Sequence, residues 1–290
     1  MDILIDEICM KVYPKTVYTD IVDMPYPMLL GLTVHYYNFS DITLYMKLLI
    51  SGPSPWSSNA QTLGSLGSGL DAYINIDNFI SRSKPSNATT EVLTVTLEAY
   101  SDSGYSNLTY TFSRSLTVVF LKSDDGTWTI TNASNFDNGS VDGWNATAET
   151  NCTVDIAIAA DYVLSTPYSL KTIVTGTYAG GGRTRARTYK TFTTPNATTV
   201  YAIINCRMQN GSAQFIKNYV ISQDGTTTII YIGRSYDSTY YNYIPINKWM
   251  RFVVPLPSNT TLDLRLIIEG LAGSGVAWNF WMDDFKIISK

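Results

Sequence analysis

The sequence predicts an all-β protein built of two β-sandwich domains, and three observations carry that prediction. Apolar residues almost nowhere recur at helical spacing over a window long enough to make a helix. The long apolar stretches are rich in Val, Ile, Thr, Tyr and Phe, the side chains that fit a pleated, half-buried surface. Gly, Pro, Ser, Asn and Asp break these stretches at short intervals. At 290 residues the chain is long enough to bury two cores of ordinary size.

In the first half, strands are predicted over residues 9–13, 28–37, 42–50, 72–76, 92–100, 108–120 and 128–131. Spacing of this kind, with turn residues at the breaks, resembles an immunoglobulin-like sandwich. Between the third and fourth strands lies SGPSPWSSNAQTLGSLGSGL, a Gly/Ser/Pro segment predicted as a long loop that folds down with Trp56 as its anchor. The hairpin signal SDDG at 123–126 precedes WTI, after which the chain turns polar. This places one domain at 1–131 and a second at 132–290.

The second half opens with NFDNGSVDGW, continues through TPYSLKTIVTG and INKWMRFVVPLPSNTTLDLRLIIEG, and closes with WNFWMDDFKIIS. In that order and spacing it resembles a carbohydrate-binding module of the calcium-containing jelly-roll type over about 155 residues. The carrying pieces are Phe136-Asp137-x-Gly139 with Gly143-Trp144, Tyr168 to Lys171, Lys248-Trp249, and Asp283-Asp284-Phe285. The resemblance implies a structural calcium where the first and last strands meet, with Asp137 and Asp284 as ligands and Asp283 as a further candidate. Aspartates beside Gly and Asn are also ordinary turn residues, whereas an Asp inside the last strand is disfavoured there.

The same resemblance implies sugar binding by aromatic rings stacked on pyranose faces. The candidates are Tyr189, Tyr201, Tyr231, Tyr236, Tyr240, Tyr241, Tyr243 and Trp278, with SYDSTYYNYIP the densest cluster. In a chain with 21 Tyr such clusters also arise as cross-strand packing. The stretch RTRARTY alternates with period two, so as a strand it puts Arg183, Arg185, Arg187 and Tyr189 on one face. That face suits an acidic or sulfated glycan, a neighbouring subunit's carboxylates, or simple solvation.

Composition points outside the cytoplasm. Charged residues make up only 15% of the chain, so Ser, Thr, Asn and Tyr must supply the polar surface. Glycosylation acceptor sequences occur at Asn38, Asn87, Asn107, Asn132, Asn138, Asn145, Asn151, Asn196, Asn210 and Asn259, ten of nineteen asparagines, where chance gives roughly four. The alternative is that Asn and Thr crowd into β-turns. In composition the chain resembles exterior proteins of acid-loving archaea and their viruses, a likeness of style without a motif. The start MDILIDEICMKVYP has acids where a signal peptide wants basic residues, which suits a mature form or another export route. No run reaches the roughly 20 apolar residues of a membrane-spanning helix.

Net charge is −4, which gives no field for nucleic acid. Cys9, Cys152 and Cys206 are too far apart for a metal knuckle or a redox pair; a Cys152 to Cys206 disulfide and three small buried hydrophobes are the two readings. The single histidine, His35, sits in a strand pattern and reads as a core or cross-strand residue. No phosphate-loop, dinucleotide or zinc-protease motif occurs, and Glu is scarce after the first ten residues. The expected function is therefore non-enzymatic: a glycan or receptor binder at a cell or virion surface, acting through the C-terminal jelly roll. The rival expectation is a structural subunit that pairs with copies of itself or other surface proteins through strand edges such as the N-terminal one, and a third is a glycoside hydrolase whose two acids meet only in space.

Overall fold

The computed structural model describes residues 7–13, 15–22, 28–29, 32–76, 81–177, 182–209, 214–222, 227–231, 247, 249–272, 274–275 and 277–290. Among these there is no helix, and every ladder is antiparallel, so the all-β expectation holds. The chain divides into two compact units: residues 1–17 with 25–120, and 18–24 with 121–290.

The strands up to residue 121 are β1 (Ile8–Tyr13), β2 (Thr16–Asp20), β3 (Met28–Leu29), β4 (Leu32–Asn38), β5 (Leu44–Ser51), β6 (Asn59–Leu66), β7 (Asp71–Ile76), β8 (Ser81–Arg82), β9 (Thr89–Tyr100) and β10 (Leu108–Leu121), of which Tyr18 to Asp20 and Leu121 belong to the second unit and the rest to the first. They form sheets of order β1-β4-β7 and β2-β10-β9-β5-β6, with β3 and β8 as a separate pair. The period-two burial of β5, with Leu44, Met46, Leu48 and Ile50 fully inside, shows why LYMKLLI forms a half-buried strand.

The expectation of a loop throughout 51–70 is corrected here. Residues 59–66 form β6, an edge strand registered on β5 from Asn59↔Ile50 to Leu66↔Leu44, with a bulge beside Gly64. Gly64 adopts a φ of +85°, which a side chain resists. Trp56 does anchor the segment: it is buried, donates its indole N–H to Glu91 Oε2 at 2.5 Å, and lies 6.2 Å from the Phe120 ring. Arg82 binds the same carboxylate through two donors, so the indole and the guanidinium share one half-buried acceptor.

The second unit uses β11 (Thr129–Ser134), β12 (Asn145–Thr150), β13 (Cys152–Ala159), β14 (Ser169–Gly176), β15 (Gly182–Thr193), β16 (Val200–Gln209), β17 (Gln214–Ser222), β18 (Thr227–Tyr231), β19 (Trp249–Leu256), β20 (Thr261–Ala272) and β21 (Ala277–Ser289). One sheet runs β13-β14-β21-β16-β19, with β11 also on β21; the other runs β12-β15-β20-β17-β18. Phe136, Trp144, Phe192, Phe280, Phe285 and the aliphatics of β16 and β20 form one continuous core. The opening motif is spent there: Trp144 packs edge-on against Phe285 at 5.3 Å, and Phe136 is fully buried.

Residues 18–22 are held within this unit by buried polar groups. Arg251 donates to the backbone oxygens of Asp20 and Val22 and to Asn205 Oδ1, while Asp20 accepts from the Ser123 amide and hydroxyl. A buried guanidinium is tolerated because its donors are taken up by oxygens.

Candidate functional site

The face of the five-stranded sheet opposite the core is set by β15. Thr184, Ala186 and Thr188 are buried, so Arg185, Arg187 and Tyr189 point the other way, as the period-two pattern of RTRARTY requires. On the flanking strands, β12 contributes Glu149 from a bulge and β20 contributes Asp263 and Arg265.

Their charges interlock. Glu149 Oε2 lies 2.6 Å from Arg185 Nε and its Oε1 3.4 Å from Arg187 Nη1. The Arg187 guanidinium sits over the Tyr189 ring, 5.2 Å from its centroid. Across the ladder, Arg265 and the Thr191 hydroxyl both donate to Asp263 at 2.6 Å, which holds that carboxyl below the usual carboxylate range, the threonine bond first and the arginine second. The result is a face of oriented guanidinium groups beside an aromatic ring. Ile267 on the same strand is buried, whereas Thr191, Thr193 and Thr261 are exposed, so the open part lies toward the Tyr189 and Thr191 end.

The other residues singled out in the sequence fall elsewhere. Tyr236, Tyr240, Tyr241 and Tyr243 lie outside the described residues. Trp278 and Arg183 are placed in strands by register, Trp278 opposite Val174 and Arg183 opposite Leu271. Tyr231 ends β18. Tyr201 belongs to a packed cluster, 5.4 Å from Tyr18 and 5.7 Å from Trp128, whose ring is capped by Lys290.

The three aspartates implied as calcium ligands are differently employed. Asp283 is fully buried, and its carboxylate accepts from the amides of Leu164, Ser165 and Asp284 and from the Ser165 hydroxyl. These four donors use up the lone pairs of both oxygens. Asp284, at a φ of 47°, faces Lys286 at 3.0 Å and Arg251 at 3.8 Å. Asp137 accepts from Asn135 on one oxygen and keeps the other, Oδ1, buried without a hydrogen-bond partner. Calcium takes six to eight oxygens, backbone carbonyls among them; Asp137 Oδ1 is a carboxylate oxygen left open to such an ion, and no group of three or more His, Cys, Asp or Glu suited to a metal occurs among the described residues.

The disulfide reading is corrected. All three cysteines are free thiols, and Cys152 on β13 is separated from Cys206 on β16 by β14 and β21. Three inter-strand steps of about 4.8 Å set their strands at least roughly 14 Å apart, beyond the reach of a bridge. Cys152 donates instead to the Arg185 carbonyl, and burial pushes both thiols up.

Among the glycosylation acceptors, Asn87, Asn107, Asn138, Asn145, Asn151, Asn196 and Asn259 are exposed and Asn132 half-buried; Asn210 lies outside the described residues. Asn38 is a correction. It is fully buried, its amide donating to the carbonyls of Ile42, Leu66 and Gly67 while its oxygen accepts from the Ser40 amide and hydroxyl. In the folded chain that amide nitrogen is enclosed.

The signal missed in the sequence is Glu149, hidden in the irregular AETNC junction; a lone Glu opposite an arginine-alternating strand was the available clue.

No family model and no curated protein matches this chain. Among solved structures it is similar to carbohydrate-binding modules of the β-sandwich superfamily, described for promiscuous specificity, at 13% identity, covering 97% of this chain and 97% of that one with a TM-score of 0.40. It is also similar to a module described for mannan recognition, at 12% identity over 57% of this chain and 99% of that one, TM-score 0.38. A third likeness is to the K1 cleaved adhesin domain of Lys-gingipain from Porphyromonas gingivalis W83, at 14% identity over 57% of this chain and 99% of that one, TM-score 0.36.

Proposed function

We propose that this chain is a non-enzymatic binder of carbohydrate that works outside the cytoplasm, with the outer face of β12, β15 and β20 as its binding surface. The observation that carries the reading is the juxtaposition of the Glu149-clamped Arg185 and Arg187 with the Tyr189 ring. Guanidinium groups fixed by a carboxylate present their remaining N–H donors in a set geometry, which suits sugar hydroxyls and ring substituents. The Tyr189 ring offers an apolar face for the C–H side of a pyranose.

The same arrangement disfavours hydrolysis. Glycoside cleavage needs one carboxyl held protonated as the acid, whereas Glu149 and Asp263 are both bound to arginine. Asp283 is pushed up by burial, but it lies fully inside with every lone pair engaged.

A glycan array probed with the full chain tests this reading, with Tyr189→Ala and Arg187→Ala as comparison proteins. For at least one glycan, binding should appear for the wild type and fall by about tenfold or more in each variant, as the loss of roughly 1.4 kcal/mol would give. Absence of wild-type binding across neutral and acidic glycans, or the lack of any glycan whose binding drops in both variants, rejects it.

A further inference from the structure

The first unit carries another face with recognition chemistry. Across β1, β4 and β7 the register sets Lys11 opposite His35 and His35 opposite Tyr73, and sets Tyr37 opposite Asp71. Met10, Val12, Val34 and Tyr36 are buried, so the alternate positions 11, 35, 37, 71 and 73 share the opposite face.

The rings on that face are continuous. His35 lies 3.6 Å from Tyr73 in a stacked pair and 4.0 Å from Tyr37, and Tyr37 stacks on Phe39 at 5.5 Å with planes 11° apart. A hydrogen-bond relay locks their orientation: the Tyr37 hydroxyl donates to His35 Nδ1 at 2.7 Å and His35 Nε2–H donates to Asp71 at 2.6 Å. Phe39, at the end of the stack, is 47% exposed, and the Asp71 side chain is 48% exposed. Lys11 hangs over the Tyr37 ring at 5.5 Å.

We propose that this face is a second carbohydrate-binding site, separate from the one on the second unit, and that it takes an uncharged pyranose-based glycan. The exposed Phe39 ring and the half-buried Tyr37 and Tyr73 rings, held from behind by the buried His35, match the C–H faces of a sugar, and a flanking carboxylate and ammonium accept from and donate to its hydroxyls. With His35 neutral, Lys11 and Asp71 cancel, so the face has no net charge to favour an ionic ligand, and an anionic one would meet the Asp71 carboxylate. A purely apolar partner would bury both charges without hydroxyls to replace their water, which is costly. A polyol satisfies rings and charges together.

Native gels containing galactomannan, xylan or mixed-linkage β-glucan test the proposal by retardation of the full chain. The proteins compared are wild type, Tyr189→Ala, Phe39→Ala/Asp71→Asn, and the triple variant. Phe39 and Asp71 are surface positions, and circular dichroism confirms that each variant keeps its fold. The Tyr189→Ala protein should remain retarded in at least one gel, and adding the two first-unit substitutions should weaken that retardation about tenfold. No retardation of Tyr189→Ala in any gel overturns the second site, and if the wild type is retarded it leaves the first reading standing. Retardation of Tyr189→Ala that the added substitutions do not change also overturns it. So does Phe39-dependent self-association in sedimentation with unchanged retardation, which would assign the face to a second copy of the chain.

Discussion

The Ser165 amide donates to the Asp283 carboxylate at 2.8 Å, joining β21 to the segment before β14 across 118 positions. The same carboxylate takes the Leu164 amide, while Asp161, earlier in that segment, accepts from the indole of the fully buried Trp281 at 3.0 Å. One buried acid thus straps a loop over the outer side of the six-stranded sheet, and Trp281 is sealed beneath it.

Asp283→Ala should therefore be among the costly substitutions of the second unit, at about 2–4 kcal/mol, since several donors lose a buried acceptor at once. Urea unfolding read by tryptophan fluorescence measures it. A loss under about 1 kcal/mol would mean that water replaces the carboxylate and that the strap is held by other contacts.

In the first unit, the Arg82 guanidinium beside Glu91 holds that carboxyl below the usual glutamate range, with the Trp56 N–H adding to the effect against desolvation. The native state then binds this proton less tightly than the unfolded chain. The stabilisation is present above the unfolded value near 4.3 and is lost as pH falls through the depressed native value. Glu91→Gln should cost about 2–4 kcal/mol at pH 7, and the gap between wild type and variant should be flat down to roughly pH 5 and shrink below about pH 4. Denaturant titrations at stepped pH check the sign; a gap that widens in acid contradicts it.

Reductant should leave the melting temperature unchanged, because no pair of the three thiols is bridged. Cys206 sits inside the core and should react with a thiol reagent only on unfolding. Three titratable thiols in denaturant without reductant is the expected count; one would restore the Cys152–Cys206 bond.

Strand periodicity made much of this architecture legible. LYMKLLI and RTRARTY alternate, and each strand buries the face its pattern names. NAQTLGSL escaped because an edge strand exposed on both sides keeps no apolar alternation, and its Gly and Ser read as loop. The site was half legible: the arginine face was visible along one strand, but its clamp, Glu149, arrives from a different strand through a bulge that no local pattern announces. The hydrogen bonding of Asp283 and Asn38 is illegible for a related reason: it is set by backbone groups distant in sequence, Leu164 and Ser165 for one and Leu66 and Gly67 for the other.

Asn38 supplies the most direct check on how the acceptor sequences are used. Its amide nitrogen serves three carbonyls, at 2.8–3.1 Å, that close the turns after β4 and β6. A glycan on that nitrogen would remove one donor proton and force bulk into a fully buried position. Peptide mapping of native material should find the Asn38 peptide bare, while any occupied positions fall among Asn87, Asn107, Asn138, Asn145, Asn151, Asn196 and Asn259, all exposed. Asn38→Asp puts an acceptor where the three carbonyls need donors, and should cost about 2–4 kcal/mol in urea unfolding. A glycosylated Asn38 peptide would show that the transferase meets this segment before β4 and β6 have closed around it, and would move the modification ahead of folding.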